Sequence, residues 1–401
     1  MSSIKVRNMT KAFKVGSMFA GVGGICLGFQ QASIDNKKYK LIWANEMDHY
    51  ACITYKKNFN HKLLEGDINY ILDPRLVCDI KKRHLYEVMH KEILKEKIDI
   101  LLGGFPCQAF SIAGERKGFK DDRGNLFLSI INLINQLQKK FGDDGINGIN
   151  GKPRILFLEN VKNLKSHDKG RTYKVIKSQL ENQGYIIKEH VLNTMDYSYL
   201  PQNRERIYII GFLYKEDADK FDLFSKIDDL KLEMSEKQRI NNIKNVIDYK
   251  INNNKYEQYY YTKEKYPKYF LTEKEYYSIP EEERKVERVN LEEQITEMYQ
   301  FYQVRRGMYV RKNKKGVCPT LTANMGTGGH NVPLIKVNDG IRKLTPSEVF
   351  SLQGFPIGKG YVLPEKYNGK KYADSHLYKQ AGNAVSVPIV KMLADEILKI
   401  L

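Results

Sequence analysis

Ile98-Asp99-Ile100-Leu101-Leu102-Gly103-Gly104-Phe105-Pro106-Cys107-Gln108 decides how this chain reads. Its apolar half predicts a short buried strand. The Gly-Gly-Phe-Pro-Cys run then sets a cysteine on the turn past the strand's carboxyl end, where open α/β sheets place their chemistry. Further on, a second apolar run, Ile155-Leu156-Phe157-Leu158, delivers Glu159-Asn160-Val161 to the same kind of place. A thiol and a carboxyl group at two strand ends make a nucleophile and an acid/base pair.

Working outward, residues 15–212 alternate strand-like and helix-like patterns. Strands are expected at Val15-Phe19, Leu41-Asn45, Asp99-Gly103, Arg154-Glu159, Ile186-Leu192 and Arg206-Phe212. A helix is expected over Leu126 to Leu137, where Phe127, Ile130, Ile131, Ile134 and Leu137 share one face. The alternation predicts an α/β fold with a doubly wound, mostly parallel sheet. After Phe212 the rhythm is lost: charges of both signs mix with Asn and Tyr, and the Tyr run from Tyr256 to Tyr277 reads as packing. A Gly- and Thr-rich piece, Pro319 to His330, sits in a β-like setting. We therefore expect a first domain over 1–212, completed by 375–401, and a second, smaller domain over 213–374. The apolar spacing of Val385 to Leu401 reads as a helix returning to the first domain.

The totals narrow the class. With 401 residues the chain can bury a full core and form two domains. Lys and Arg number 66 against 48 Asp and Glu, a net charge of +18, which favours a polyanionic partner. The five cysteines lack Cys-x-x-Cys spacing, so neither a metal site nor a disulfide framework is expected. All but Cys107 read as small apolar fillers. No apolar leader follows Met1 and no run is long enough to span a bilayer. The expectation is a cytoplasmic protein with no membrane contact.

A second constellation binds a ligand. Phe19-Ala20-Gly21-Val22-Gly23-Gly24 follows the first strand, and its glycines allow close approach of backbone to an anionic or nucleotide group. Glu46 ends the next strand, where a carboxylate binds ribose hydroxyls. A dinucleotide enzyme suits the turn almost as well, although the third glycine of that fingerprint is missing. Asp67 reads equally as an adenine contact and as a turn or cap residue.

Taken in order, these pieces resemble the bacterial type of the DNA cytosine-5 methyltransferase family. The matching stretches are Phe19 to Gly24; Asn45-Glu46; Gly66-Asp67-Ile68; Gly104-Phe105-Pro106-Cys107-Gln108-Ala109-Phe110-Ser111, with Asp122-Arg123-Gly124-Asn125-Leu126; Glu159-Asn160-Val161; and Gln202-Asn203-Arg204-Glu205-Arg206. Arg342-Lys343-Leu344-Thr345, Gln353-Gly354-Phe355-Pro356 and Gly382-Asn383-Ala384-Val385 complete the set.

The resemblance implies a Rossmann-like fold that uses S-adenosyl-L-methionine, a separate target-recognition domain, and a cytosine flipped out of duplex DNA. It implies Cys107 as the nucleophile at C6 and Glu159 as the acid beside N3, its carboxyl raised by burial. Arg206 would neutralise and orient the site near O2. The implied cofactor contacts are Phe19, Ala20, Gly21, Gly23, Gly24, Glu46, Met47, Asp67, Ile68, Pro106, Leu126, Asn383 and Ala384. The implied DNA contacts are Ser111, Arg123, Arg204, Arg305, Arg306 and Thr320, with Arg311 and Lys312 open to base or phosphate contact. The basic, Gly-containing segment from Gln108 to Gly124 predicts a lid over the flipped base. The expected setting is a monomer in a restriction-modification system, with a cognate restriction endonuclease acting separately.

The alternative is a tRNA cytosine-5 methyltransferase of the same motif type, whose recognition region is shorter than the stretch here. RNA enzymes with a second cysteine beside the acid motif do not match Glu159-Asn160-Val161. A non-catalytic DNA-binding relative would not need Cys107, Glu159 and Arg206 together. A dehydrogenase leaves Pro106-Cys107 and Glu159 unexplained.

Overall fold

Eight strands form the first sheet: β1 (Lys11–Met18), β2 (Ser33–Ile34), β3 (Lys37–Glu46), β4 (Lys62–Glu65), β5 (Ile100–Gly103), β6 (Ile155–Val161), β7 (Ile186–Asn193) and β8 (Glu205–Phe212). These come from a computed structural model that describes residues 10–105, 125–143, 150–249, 254–284, 287–305, 309–327 and 331–401. The strand order is β2-β3-β1-β5-β6-β8-β7, with β4 paired to the later half of β3. The pairs β3–β1, β1–β5 and β5–β6 are parallel, so the carboxyl ends of these strands share one edge. From β1 the chain builds outward to β3 and then returns to β5 on the other side, which makes β1 and β5 the switch point where such sheets bind ligands. β8 departs from the parallel expectation: it runs antiparallel to β6.

Both faces of this sheet are covered. Leu156 and Leu158 of β6 join one apolar cluster with Ile130, Leu133, Ile134 and Leu137 of the Asn125–Phe141 helix and Ile176 and Leu180 of the Arg171–Asn182 helix. Phe157, between them, points the other way, with its ring 5.0 Å from Phe29 of the Gly24–Gln31 helix and 6.0 Å from Tyr208. Continuous burial along Ile155 to Asn160 is what a strand covered on both sides requires. Each large apolar side chain buried there contributes roughly 1.5–3 kcal/mol.

The chain divides into two compact units. The first comprises Met1–Leu192, Glu205–Lys231 and Val387–Leu401; the second comprises Asn193–Arg204 and Leu232–Ser386. The limits read from the sequence, 212/213 and 374/375, differ from these. The Asp374–Asn383 helix stays with the second unit, because Gly326 of that unit packs against its first turn at Ser375 and Lys379. The last helix, Val387–Ile400, is in the first unit.

The second unit holds an antiparallel sheet of β9 (Tyr260–Tyr261), β10 (Tyr302–Arg305), β11 (Tyr309–Lys312), β12 (Leu334–Val337) and β13 (Gly340–Lys343), in the order β11-β10-β12-β13-β9. Tyr261, Tyr269, Tyr302 and Val304 lie in its core, and Tyr261, Tyr266 and Tyr269 stack on one another, while Tyr277 is exposed. The β-like setting expected for 319–330 is not found among the described residues there. Ala323–Gly326 is a short 3-10 turn.

Helix Gly24–Gln31 lies against Val387–Ile400 through Gly28. A methyl there would stand 2.5 Å from Val390 Cγ1 and 3.0 Å from the Lys391 amide nitrogen. Alanine normally favours a helix over glycine by about 1 kcal/mol, but overpacking of this kind costs about 1–3 kcal/mol. Gly28→Ala is therefore expected to lower the urea unfolding midpoint; a raised midpoint would mean the helices separate freely.

Candidate active site

β1 ends at Met18, and the chain then turns through three left-handed residues: Phe19 (φ 56°), Gly21 (φ 57°) and Gly23 (φ 85°). The turn rests on an aromatic pair. A Cβ at Gly23 would lie 2.6 Å from Phe59 Cζ and 3.0 Å from Tyr55 Cε2, so only glycine fits both the conformation and the space. Phe59 stacks on Tyr55 with centroids 4.4 Å apart. The buried Tyr55 hydroxyl lies 2.6 Å from His61 Nε2 and 3.2 Å from Cys26 Sγ. Burial pushes His61 down to about 4.

Glu46, at the end of β3, is buried beside this turn. Its Oε2 accepts from the Gly21 amide at 2.7 Å; its Oε1 accepts from Met47 and Asp48 at 2.9 and 2.7 Å. Burial pushes its carboxyl up, and the three amides oppose that. Ala20 N donates to Asn45 O, which joins the turn to β3. Asp67 caps the short Ile68–Leu72 helix through Asn69 N at 2.8 Å, and Ile68 is buried. Met47 is exposed, and Leu126 packs at the edge of the core. A Cβ at Gly21 would meet nothing within 4 Å, so the turn is open at Gly21.

At the end of β6, Glu159 is 7% exposed. Its Oε1 lies 3.0 Å from Arg206 Nε. The reversed direction of β8 makes this pairing possible. Arg206, second in β8, stands opposite Val161 at the carboxyl end of β6. Glu159 Oε2 also lies beside Gly104, 3.6 Å from where a Cβ would be. Asn160 Nδ2 donates to Phe105 O at 2.8 Å and its Oδ1 accepts from Val161 N. The carbonyl just before Pro106-Cys107 is thus tied to the strand that carries Glu159. The sequence quoted Asn160 within its motif but gave it no role; a buried amide next to a strand-end acid is the signal that could have found it. Pro106, Cys107, Ser111, Arg123 and Arg306 lie outside the described residues, as does most of the expected lid.

The second unit corrects one expectation. Arg204 does not display its guanidinium for DNA; it is 2% exposed, and Nη1 donates to Leu321 O at 2.8 Å while Nη2 donates to the carbonyls of Gly382 and Ala384. These three bonds, from Nη1 and Nη2, join separate chain segments. Asn383 ends the Asp374–Asn383 helix and Ala384 caps it. Thr320 donates its hydroxyl to Asn203 O at 2.6 Å, and Gln202 Nε2 donates to Leu352 O at 2.7 Å. Arg305 closes β10, with no hydrogen bond or ion pair from its side chain among the described residues. Cys26, Cys52 and Cys318 are buried as expected, but Cys78 is exposed and is no filler. Among the described residues no His, Cys, Asp and Glu group could hold a metal, and no helix is long and apolar enough to cross a membrane.

His61 carries a pH prediction. Its pKa falls from 6.5 when unfolded to about 4 when folded, so its contribution to stability is complete above 6.5 and is lost as pH falls towards 4. Urea unfolding at pH 7 and pH 5 is expected to show a larger loss for the native chain than for His61→Gln. Equal losses would remove this account.

The family described as C-5 cytosine-specific DNA methylase matches residues 13–399. The chain is 42% identical over 387 residues to Type II methyltransferase M.Bsp6I of Bacillus sp. (strain RFL6), covering 96% of this chain and 98% of that one. It is 32% identical over 399 residues to Type II methyltransferase M.HpaII of Haemophilus parainfluenzae, covering 98% and 91%. Among solved structures, S. pombe Dnmt2 methyltransferase shares the fold, with a TM-score of 0.61 at 17% identity over 96% of this chain and 98% of that one. The chain belongs to the C-5 cytosine-specific DNA methylase family, with its Rossmann-like methyltransferase fold, and is a DNA cytosine-5 methyltransferase.

Proposed function

We propose that the enzyme methylates cytosine in duplex DNA through Cys107, Glu159 and Arg206, with S-adenosyl-L-methionine as methyl donor. The observation that carries this reading is the Glu159–Arg206 pair at 3.0 Å, with Glu159 buried, on the strand whose Asn160 bonds the Phe105 carbonyl. The family match to DNA methylases over residues 13–399 favours DNA over tRNA. The Type II relatives favour a place in a restriction-modification system; we assign to it a separately acting endonuclease, a monomeric state and the cytoplasm.

Cytosine C5 is a weak nucleophile. Addition of the Cys107 thiolate to C6 moves the C5–C6 electron pair onto the ring and makes C5 nucleophilic. Glu159 supplies the proton at N3 that offsets the added charge. Arg206 holds the Glu159 carboxyl in place and adds positive charge beside the base. Once C5 carries the methyl group, loss of the C5 proton to solvent rebuilds the C5–C6 double bond, the Cys107 sulfur leaves C6 as thiolate, and N3 returns its proton to Glu159. The base must first leave the stack, at a cost of a few kcal/mol.

S-adenosyl-L-methionine, when bound, supplies an electrophilic methyl group on a sulfonium centre. The residues present fit it: Glu46 is buried at the end of β3 and bonded to the Gly21 amide of a turn that is open at Gly21, and a carboxylate at that place can take ribose hydroxyls. Phe19, Ala20, Gly23 and Gly24 shape the turn, and Met47, Asp67, Ile68, Pro106 and Leu126 are the further contacts we assign. Ser111, Arg123, Arg305, Arg306 and Thr320 are assigned to DNA, whereas Arg204 is assigned to the interior of the second unit.

Bisulfite sequencing of DNA from cells expressing the protein should reveal methylcytosine in a fixed sequence context. Cys107→Ser should abolish it, and a 5-fluorocytosine duplex with methyl donor should trap an adduct through Cys107. Glu159→Gln should slow methylation by about 10²- to 10⁴-fold, the usual weight of acid–base catalysis; an undiminished rate would reject the proton role. Asn160→Ala should lower kcat about tenfold or more by freeing the Phe105 carbonyl, two residues before Cys107 in the chain, while its unfolding midpoint shows the chain still folded.

A further inference from the structure

Guanidinium groups in this protein are almost all occupied. Among the described residues, Arg75, Arg154, Arg171, Arg206, Arg288 and Arg342 meet carboxylates, and Arg83, Arg204, Arg239 and Arg284 meet main-chain carbonyls. Two arginines have neither. Arg305 makes no side-chain hydrogen bond among the described residues, and Arg311 makes one, from Nη2 to the amide oxygen Oε1 of Gln303 at 2.8 Å.

Both belong to the same two-stranded ribbon. In the β10–β11 register, Gln303 stands opposite Arg311 and Arg305 opposite Tyr309. Side chains alternate along strands, so Gln303, Arg305, Tyr309 and Arg311 share one face. Tyr302, Val304, Val310 and Lys312 share the other. That second face is pinned: Tyr302 and Val304 are buried in the core, Val310 packs on it, and Lys312 is paired with Glu297 at 2.5 Å. β11 is also the edge strand of its sheet. The other face therefore carries two cations without an anion among the described residues: Arg311 is exposed, Arg305 is half-buried, and the buried Gln303 steadies Arg311.

An arginine fork matches guanine O6 and N7, and a β-ribbon fits the major groove. We propose that Arg305 and Arg311 are specificity-determining residues that bond guanine edges in the recognised sequence. Gln303 is a positioning residue that fixes the plane of Arg311. Lys312, on the opposite face, takes no part. The proposal rests on duplex DNA as substrate and deepens it: it separates the cations that read sequence from those that only add charge.

The test uses the full-length enzyme. Bisulfite sequencing of a plasmid library defines the sequence context of the native enzyme, and competition between cognate and altered duplexes defines its binding preference. Arg311→Gln and Arg305→Gln should each relax the requirement for guanine at one position by about tenfold or more. The salt dependence of duplex binding should not change. Gln303→Ala should relax the same position as Arg311→Gln, and Gln303→Leu, which keeps the volume, guards against misfolding. Lys312→Gln should leave the context unaltered. An unchanged context, with binding weakened evenly across sequences and the salt slope reduced by about one, would mark phosphate contacts and overturn the proposal. If the native enzyme methylates nothing, the catalytic assignment fails instead, and the binding competition still decides this one.

Discussion

A buried carboxylate and a buried guanidinium, 3.0 Å apart, set the terms for the first unit. Taking each charge out of water costs several kcal/mol, and only the partner's presence offsets that. The pair must therefore be delivered together by elements that cannot drift. The sheet does this by direction. Glu159 comes from the carboxyl end of β6, and its partner comes from the amino end of the neighbouring β8. β8 supplies it by running backwards against β6. A fully parallel sheet would place Arg206 at the opposite edge. The reversal of β8 is thus the geometric condition for this acid to have this cation fixed beside it.

The same logic explains the cofactor turn. Three left-handed residues in five positions are costly for Phe19 in particular, at the order of 1 kcal/mol or more. The conformation holds because it is tied at several points: Ala20 N to Asn45 O, Gly21 N to Glu46, and Gly23 against the Phe59 ring. Glu46 fixes the shape of the turn, and we assign the same carboxyl to a ribose. One side chain thereby couples the end of β1 to the end of β3 across the sheet edge.

Much of this was legible in the sequence. The six longer strands, the helix that begins near Leu126 and the strand-end positions of Glu46 and Glu159 follow from apolar periodicity and turn residues. The reversal of β8 does not, because Ile207 to Phe212 reads the same in either direction when both faces are buried. The β-like reading of Pro319 to His330 failed at Ala323–Gly326, where Gly326 serves close packing against the helix that begins at Asp374 rather than strand pairing. Arg204 failed for a related reason. A motif shows that an arginine is required and is silent on whether it faces outward. Arg204 and Arg206 stand two residues apart, yet one is bonded to three carbonyls of the second unit and the other to a carboxylate of the first.

That contrast bears on how charge should be read in a basic protein. A net charge of +18 says that a polyanion is welcome, but it ranks no cation above another. The ranking comes from what each donor would lose. Withdrawing the Arg204 guanidinium from Leu321, Gly382 and Ala384 would strand buried carbonyls at about 1–3 kcal/mol each. No contact with DNA recovers that, so Arg204 stays inside. Arg206 is bound just as firmly, because releasing it would leave Glu159 buried and uncompensated. A lysine paired at the surface, such as Lys312 with Glu297, gives up little but also aims at nothing fixed. Sequence reading demands a donor that is uncommitted and yet oriented. Arg311, held by one neutral amide oxygen from Gln303, satisfies both conditions at once.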